Sequence, residues 1–137
     1  MPQNTRKRVP KLSDCEWEVM KPFWEHGCMA ARDLFAVLQA NHSWSYPTVK
    51  TMLARLVKKG ALGYQQVGNS YLYRAAWSRE DLARAETASF VSRIFDGALH
   101  PFLLQFAETA TEEEIRLARK ELERLARKKR AKGASDA

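Results

Sequence analysis

Carboxylates are absent from positions 34–79. Between Asp33 and Glu80 the chain carries Lys50, Arg55, Lys58, Lys59, Arg74 and Arg79 and no acidic residue. Cysteine and histidine are also scarce: Cys15 and Cys28, His26, His42 and His100. Two cysteines cannot build a disulfide framework. The His26–Cys28 pair falls short of the roughly four ligands a zinc site needs, and no CxxC or HExxH spacing occurs. No apolar run approaches the ~20 residues of a spanning helix. The basic start, MPQNTRKRVPK, has no apolar stretch behind it, so it does not read as a secretory signal, and the protein is expected in the cytoplasm. There is no P-loop, dinucleotide fingerprint, nucleophile elbow or carboxylate pair near a histidine. An enzyme is not expected, nor a cofactor or a metal.

What remains is a chain of 137 residues, 45% hydrophobic and 28% charged, which suits one domain or a domain with an appendage. Its net charge of +7 is unevenly spread. Residues 1–77 hold 11 Lys/Arg against 5 Asp/Glu, and residues 78–137 hold 12 against 11. Solvated faces usually mix both signs. A stretch cleared of carboxylates suits a polyanion, because each cation that neutralises a phosphate releases counterions and each nearby carboxylate would repel it.

Periodicity divides the chain into elements. Ser13 with Glu16 forms a capping-box pattern, followed by Trp17, Val19, Met20, Phe23 and Trp24 at helical spacing. Both tryptophans read as core, Cys15 as buried filler, and Pro22 as a kink. A second helix is expected from Ala30 to Asn41, with Leu34, Val37 and Leu38 buried. Trp44 precedes a third helix that starts near Ser45 or Tyr46. Pro47 is tolerated in its first turn, and Gly60 suits its end. Val49, Leu53 and Leu56 make its inward face; Thr48, Lys50, Thr51, Arg55, Lys58 and Lys59 occupy the rest. Lys58 and Lys59 suit either the helix dipole or phosphates. The period then changes to alternation, and LGYQQV, Gly68-Asn69 and SYLYR read as a hairpin on a type I′ or II′ turn.

Three further helical segments follow. Ser78 and Asp81 open the first, whose apolar stripe passes through Leu82, Val91, Ile94 and Phe95. Residues 99–107, LHPFLLQFA, are apolar nearly all round and are expected to be buried, with a kink at His100-Pro101. Thr111 and Glu114 cap the last helix, with Ile115, Ala118, Leu122 and Leu125 on one side and a basic tail after it.

Three helices and a hairpin in this order describe a winged helix-turn-helix, whose third helix can enter a major groove. The expected fold is mainly α. It has a basic flexible arm (1–11), a winged-helix DNA-binding domain (12–77), a helical dimerisation domain (78–130) and a disordered tail (131–137). A two-fold dimer would bury the apolar helices and match palindromic DNA; the other reading folds them back on the first domain. The candidate seam is Val91, Ile94, Phe95, Leu99, Phe102, Leu103, Phe106 and Leu122. A winged helix that binds protein instead of DNA is the competing function.

The residues also resemble a known family, the penicillinase-repressor and methicillin-resistance-regulator family of bacterial transcriptional repressors. LSDCEWEVMKPFWE (12–25) resembles its first helix, and WSYPTVKTMLARLVKKGAL (44–62) its recognition helix. YLYRA (71–75) and SFVSRIFDGALHPFLLQFAE (89–108) are similar to its wing and dimerisation helices. The resemblance implies a homodimeric repressor on dyad-symmetric operators. It places Thr48, Lys50, Thr51 and Arg55 on groove-facing positions, Tyr46 at the helix entrance, and Asn69, Ser70 and Arg74 on the wing. It also implies relief by cleavage in the dimerisation region, triggered by a membrane sensor metalloprotease. The aligned bond here is Gln105–Phe106, where the family has Asn-Phe. A copper-responsive branch carries a Cys-rich tail, and this tail has no cysteine.

Overall fold

The structure is a computed structural model that describes residues 8–136. The expected basic arm therefore lies largely outside the described residues. The elements are α1 (Asp14–His26), β1 (Met29–Ala30), α2 (Ala31–Leu38), α3 (Tyr46–Lys59), β2 (Leu62–Val67), β3 (Ser70–Ala75), α4 (Arg79–Phe95), α5 (Leu99–Thr109) and α6 (Glu112–Asp136). The described residues form two compact units that divide between Thr87 and Ala88. The division falls inside α4, beyond the composition change at 77/78, because Leu82 belongs to the core of the first unit.

The first unit closes around Val19, Met20, Phe23, Leu34, Leu38, Val49, Leu53, Leu56 and Leu62. Val49, Leu53 and Leu56 are completely buried, as their i, i+4, i+7 spacing requires. Met52 joins them. On α2, Leu34 and Leu38 face the core, but Val37 is exposed, contrary to expectation. The helix has eight residues and a narrow buried face, which the i, i+4 pair fills. Cys15 is also exposed, not buried; the inward position of that first turn is taken by its neighbour Glu16. Helix α1 continues through Pro22 to His26. Trp17 and Trp24 pack against the core with ring centroids 5.5 Å apart, and the Trp24 indole N–H donates to the Trp77 carbonyl at 3.0 Å.

The hairpin has the expected register, Val67 opposite Ser70 and Tyr64 opposite Tyr73. Gly68 takes φ 63° while Asn69 stays at negative φ, which selects the type II′ turn. A third strand, β1, pairs antiparallel with β3 through Met29–Tyr73 and Ala30–Leu72, giving the order β1-β3-β2. Three helices and this small sheet make the expected winged helix-turn-helix.

Two corrections concern the second unit. Pro101 lies in the first turn of α5, where its missing N–H has no intrahelical acceptor in any case, so it starts the helix instead of kinking it. The segment expected as a disordered tail is helical through Asp136. Ala, Lys and Arg are strong helix formers, and one glycine, Gly133, is too small a penalty to end the helix.

One polar contact ties α1 to α3. Glu16, 3% exposed, accepts from the Ser13 backbone N–H at 2.8 Å and from the Lys59 ammonium at 2.5 Å. Lys59 also donates to the Lys11 carbonyl at 2.9 Å. Burial pushes the Glu16 carboxyl up, but the Lys59 and Ser13 bonds together outweigh it and hold the group below its ordinary value near 4.5. A carboxyl depressed in the folded state contributes stability above the unfolded pKa and loses it as pH falls through the folded one. Glu16→Gln is therefore expected to lower the unfolding free energy by about 1–3 kcal/mol at pH 7. The gap to wild type should close as urea melts are repeated below about pH 4.5, the ordinary value.

Candidate nucleic-acid interface

Helix α3 is held by its ends as well as its core face. Ser45 caps it, accepting from the Thr48 N–H at 3.3 Å, and Gly60 closes it in the left-handed region at φ 84°. With Val49, Leu53 and Leu56 turned inward, Thr48, Lys50, Thr51 and Arg55 all stand exposed on the outer side. The Thr48 hydroxyl shares a 2.9 Å hydrogen bond with the Ser45 hydroxyl. The Thr51 hydroxyl donates to the Pro47 carbonyl at 3.0 Å, one turn back. That leaves the Thr51 methyl and the oxygen lone pairs facing outward.

Tyr46 organises the start of the helix. Phe35 meets its ring edge-on at 5.4 Å, the Arg32 guanidinium lies over it at 4.6 Å, and the Lys50 ammonium is 5.9 Å from its centroid. The stacking fixes two cations on one aromatic plate. Between α2, α3 and the hairpin opens a concavity of about 430 Å³, lined by Arg32, Tyr46, Lys50, Asn69, Ser70, Tyr71 and Tyr73. It gathers Tyr46, Lys50, Asn69 and Ser70 from the expected site residues; Thr48, Thr51 and Arg55 lie outside it. Arg74 is half-buried at the base of the hairpin, paired with Gly63, and its guanidinium carbon lies 3.6 Å from where a Gly63 side chain would begin.

Arg32 was not anticipated. The available signal was its isolation: it is the only Lys or Arg between Lys21 and Lys50. Tyr64, Tyr71 and Tyr73 form a cross-strand aromatic cluster at 5.1 and 6.0 Å. Burial pushes the Tyr73 phenol up, and the neighbouring tyrosines add to this, so it remains a neutral hydroxyl. Among the described residues, Arg32, Lys50, Arg55 and Arg74 make no ion pair, in contrast to Lys59.

Residues 12–127 match the penicillinase repressor family. The chain belongs to that family. The penicillinase repressor of Bacillus licheniformis is 35% identical over 102 residues, covering 74% of this chain and 80% of that protein. The methicillin resistance regulatory protein MecI of Staphylococcus aureus (strain N315) is 26% identical over 98 residues, 72% of this chain and 80% of that one. The solution structure of the DNA-binding domain of the repressor BlaI shares 37% identity at a TM-score of 0.50, covering 55% of this chain and 92% of that domain. The family read from the motifs, and the winged-helix fold it implied, are both borne out.

In this penicillinase-repressor family member the second unit leaves many large apolar side chains uncovered. Helix α5, expected to be buried, has no buried residue in the single chain. Ile94, Leu99, Leu103, Phe106 and Leu122 are 40–57% exposed. Val91 is buried, while Phe95 and Phe102 are half-buried in a ring cluster with Phe90 at 5.7–6.0 Å. Leu103, Leu104, Phe106, Ile115, Ala118 and Leu122 line an apolar groove of about 440 Å³ between α5 and α6. Gln105–Phe106 lies within α5, and the Phe106 carbonyl accepts from the Ala110 N–H at 3.1 Å and the Thr109 hydroxyl at 3.0 Å.

Tyr46→Ala is expected to lower stability by about 1–3 kcal/mol, because it removes the ring stacking and the cation plate. Tyr46→Phe keeps the plate and should change stability by less than about 0.5 kcal/mol. Urea unfolding of the three proteins checks this; equal stability of Tyr46→Ala and wild type would remove the plate as an organising contact.

Proposed function

We propose that this chain is a double-stranded-DNA-binding repressor that acts as a homodimer on two-fold-symmetric sites. The observation that carries the reading is the outer side of α3, where exposed cations stand with no carboxylate among positions 34–79. The BlaI domain, which shares this fold and 37% of its aligned residues, is itself a DNA-binding domain, and this supports the reading.

In this reading α3 lies in a major groove. Arg55, Thr48 and Thr51 meet base edges: the arginine suits guanine O6 and N7, and the threonine methyls suit the thymine methyl. Lys50, Arg32, Asn69 and Ser70 meet phosphates, which set register and affinity without reading sequence. Arg74, half-buried, supports the wing from its base. Repression then needs occupancy alone, since a bound dimer excludes other proteins from the same DNA.

The exposed apolar sides of α4, α5 and α6 support the dimer. Monomeric proteins rarely leave so many large apolar side chains in water on adjacent helices, and a two-fold pairing buries the same patch on both copies. Relief by proteolysis at Gln105–Phe106 is part of the proposal. A protease cleft takes extended backbone, so this turn of α5 must open first. The cut would separate Leu103 and Leu104 from the other wall of the groove, and with them one side of the seam.

Arg55→Ala is expected to weaken binding to a cognate duplex by about 1–3 kcal/mol, read by fluorescence anisotropy at fixed salt. Affinity for any duplex should fall steeply as salt rises. A protein that shows no salt-dependent DNA association would instead be a winged helix that binds protein. Leu103→Asp places a charge in the seam and should shift the chain to monomer in sedimentation velocity. It should weaken binding to two half-sites far more than to one. A Leu103→Asp protein that remains dimeric would place the seam elsewhere.

A further inference from the structure

The segment shared with the family ends at residue 127, but α6 continues to Asp136. Its first turns balance their charges: Glu113 pairs with Arg116 at 2.6 Å and Glu121 with Arg124 at 3.2 Å. The balance then stops. Residues 124–135 hold Arg124, Arg127, Lys128, Lys129, Arg130 and Lys132, and no carboxylate. The last five are exposed and make no ion pair among the described residues.

Helical geometry sorts these cations. At 3.6 residues per turn, Arg124, Arg127, Lys128 and Lys132 share one side. Leu122 and Ala126, which line the apolar groove, project on the opposite side. A chain seated in the groove would therefore leave the cations in solvent. Like charges at i, i+4, as in Arg124–Lys128 and Lys128–Lys132, repel one another. The helix dipole favours cations in the last turn alone, and this stripe begins well before it. From Arg124 to Lys132 the helix rises about 12 Å, a length over which a duplex presents about seven phosphate charges.

We infer that the basic end of α6 is a second contact for the phosphate backbone of double-stranded DNA, separate from α3 and the hairpin. This rests on the DNA-binding reading above. Chemistry favours a duplex over a lipid surface. Amphipathic helices that lie on membranes need large apolar anchors opposite their cations; Leu122 is the last on that side, and residues 126–136 have no large apolar side chain.

The test compares the full-length protein with a variant carrying Arg127→Gln, Lys128→Gln, Lys129→Gln, Arg130→Gln and Lys132→Gln. Glutamine retains helix propensity, and circular dichroism at 222 nm checks the helix. Binding to a mixed-sequence duplex of about 40 base pairs is measured from 50 to 200 mM salt, a length and range that resolve several neutralised phosphates. The log–log slope should become shallower by about 0.9 for each phosphate that the variant no longer neutralises. For two such phosphates, the wild-type protein should weaken about ten-fold more across that range than the variant does. Replacing Lys128, Lys129 and Lys132 by arginine should leave the slope as in wild type; a shallower slope there would show that charge is not the cause and overturn the inference. If wild type binds and the glutamine variant has the same slope, the inference fails while the reading of α3 stands. If neither binds, both fail. Capture by phosphatidylserine vesicles that the glutamine variant loses, with the DNA slope unchanged, would replace the duplex with a lipid surface.

Discussion

What α3 turns outward is decided by what three of its side chains do inside the first unit. Val49, Leu53 and Leu56 are fully buried and sit on one side of α3. Burying each is worth roughly 1.5–3 kcal/mol, so rotating the helix to expose them would cost a large part of a small domain's stability. Thr48, Lys50, Thr51 and Arg55 are thereby presented outward by the core, whatever their own chemistry. The outer side of α3 is a consequence of its inner side. It can change in chemistry without disturbing the fold, which lets one scaffold be retuned to different sequences.

The cations divide their labour according to the partners available. Lys59, at the end of α3, is drawn to the buried carboxylate of Glu16 and to the Lys11 carbonyl, and it ties the end of α3 to the start of α1. Arg32 and Lys50 make no ion pair among the described residues and rest on Tyr46 instead. An aromatic plate orients a cation while leaving its charge unneutralised, which a salt bridge would not do. His42 has a third role. It stacks on Trp44 at 4.0 Å and approaches Glu18 at 3.4 Å, steadying the loop that leads into α3.

Much of this was legible from residue patterns, for physical reasons. Ser13 with Glu16, Thr111 with Glu114, and Gly60 act through local hydrogen bonds and backbone freedom, so their effect is written in adjacent residues. The hairpin was legible because Gly68 permits the positive φ its turn needs. The two-residue strand β1 was not legible, since a period of two cannot be seen in two residues, and its pairing partner Tyr73 is distant in the chain. Val37 was misplaced because a three- or four-residue spacing tolerates it on either flank of a short helix. Arg32 was missed because its role depends on Tyr46 in another helix. The candidate residues Asn69 and Ser70 do meet Tyr46 and Lys50 around one concavity, while Arg74 sits at the hairpin's base. The helical tail was not legible because Ala, Lys and Arg favour a helix without leaving any apolar period to read.

The exposure of α5 has a different origin. Periodicity reports that a segment is apolar, and an apolar segment must be covered by something; it does not report by which chain. Leu99, Leu103, Phe106 and Leu122 meet water in the single chain, although their chemistry resembles that of a core. If a second copy provides the cover, the dimer's stability and its occupancy of DNA are linked, because two joined recognition helices bind with the effective concentration that the junction imposes. A signal then has no need to touch α3. Opening one turn of α5, where the backbone is hydrogen-bonded but the side chains are unburied, would be enough to lower occupancy. In the proposed mechanism the first unit stays folded on its own core, so the regulated event would be loss of the junction and not loss of the fold.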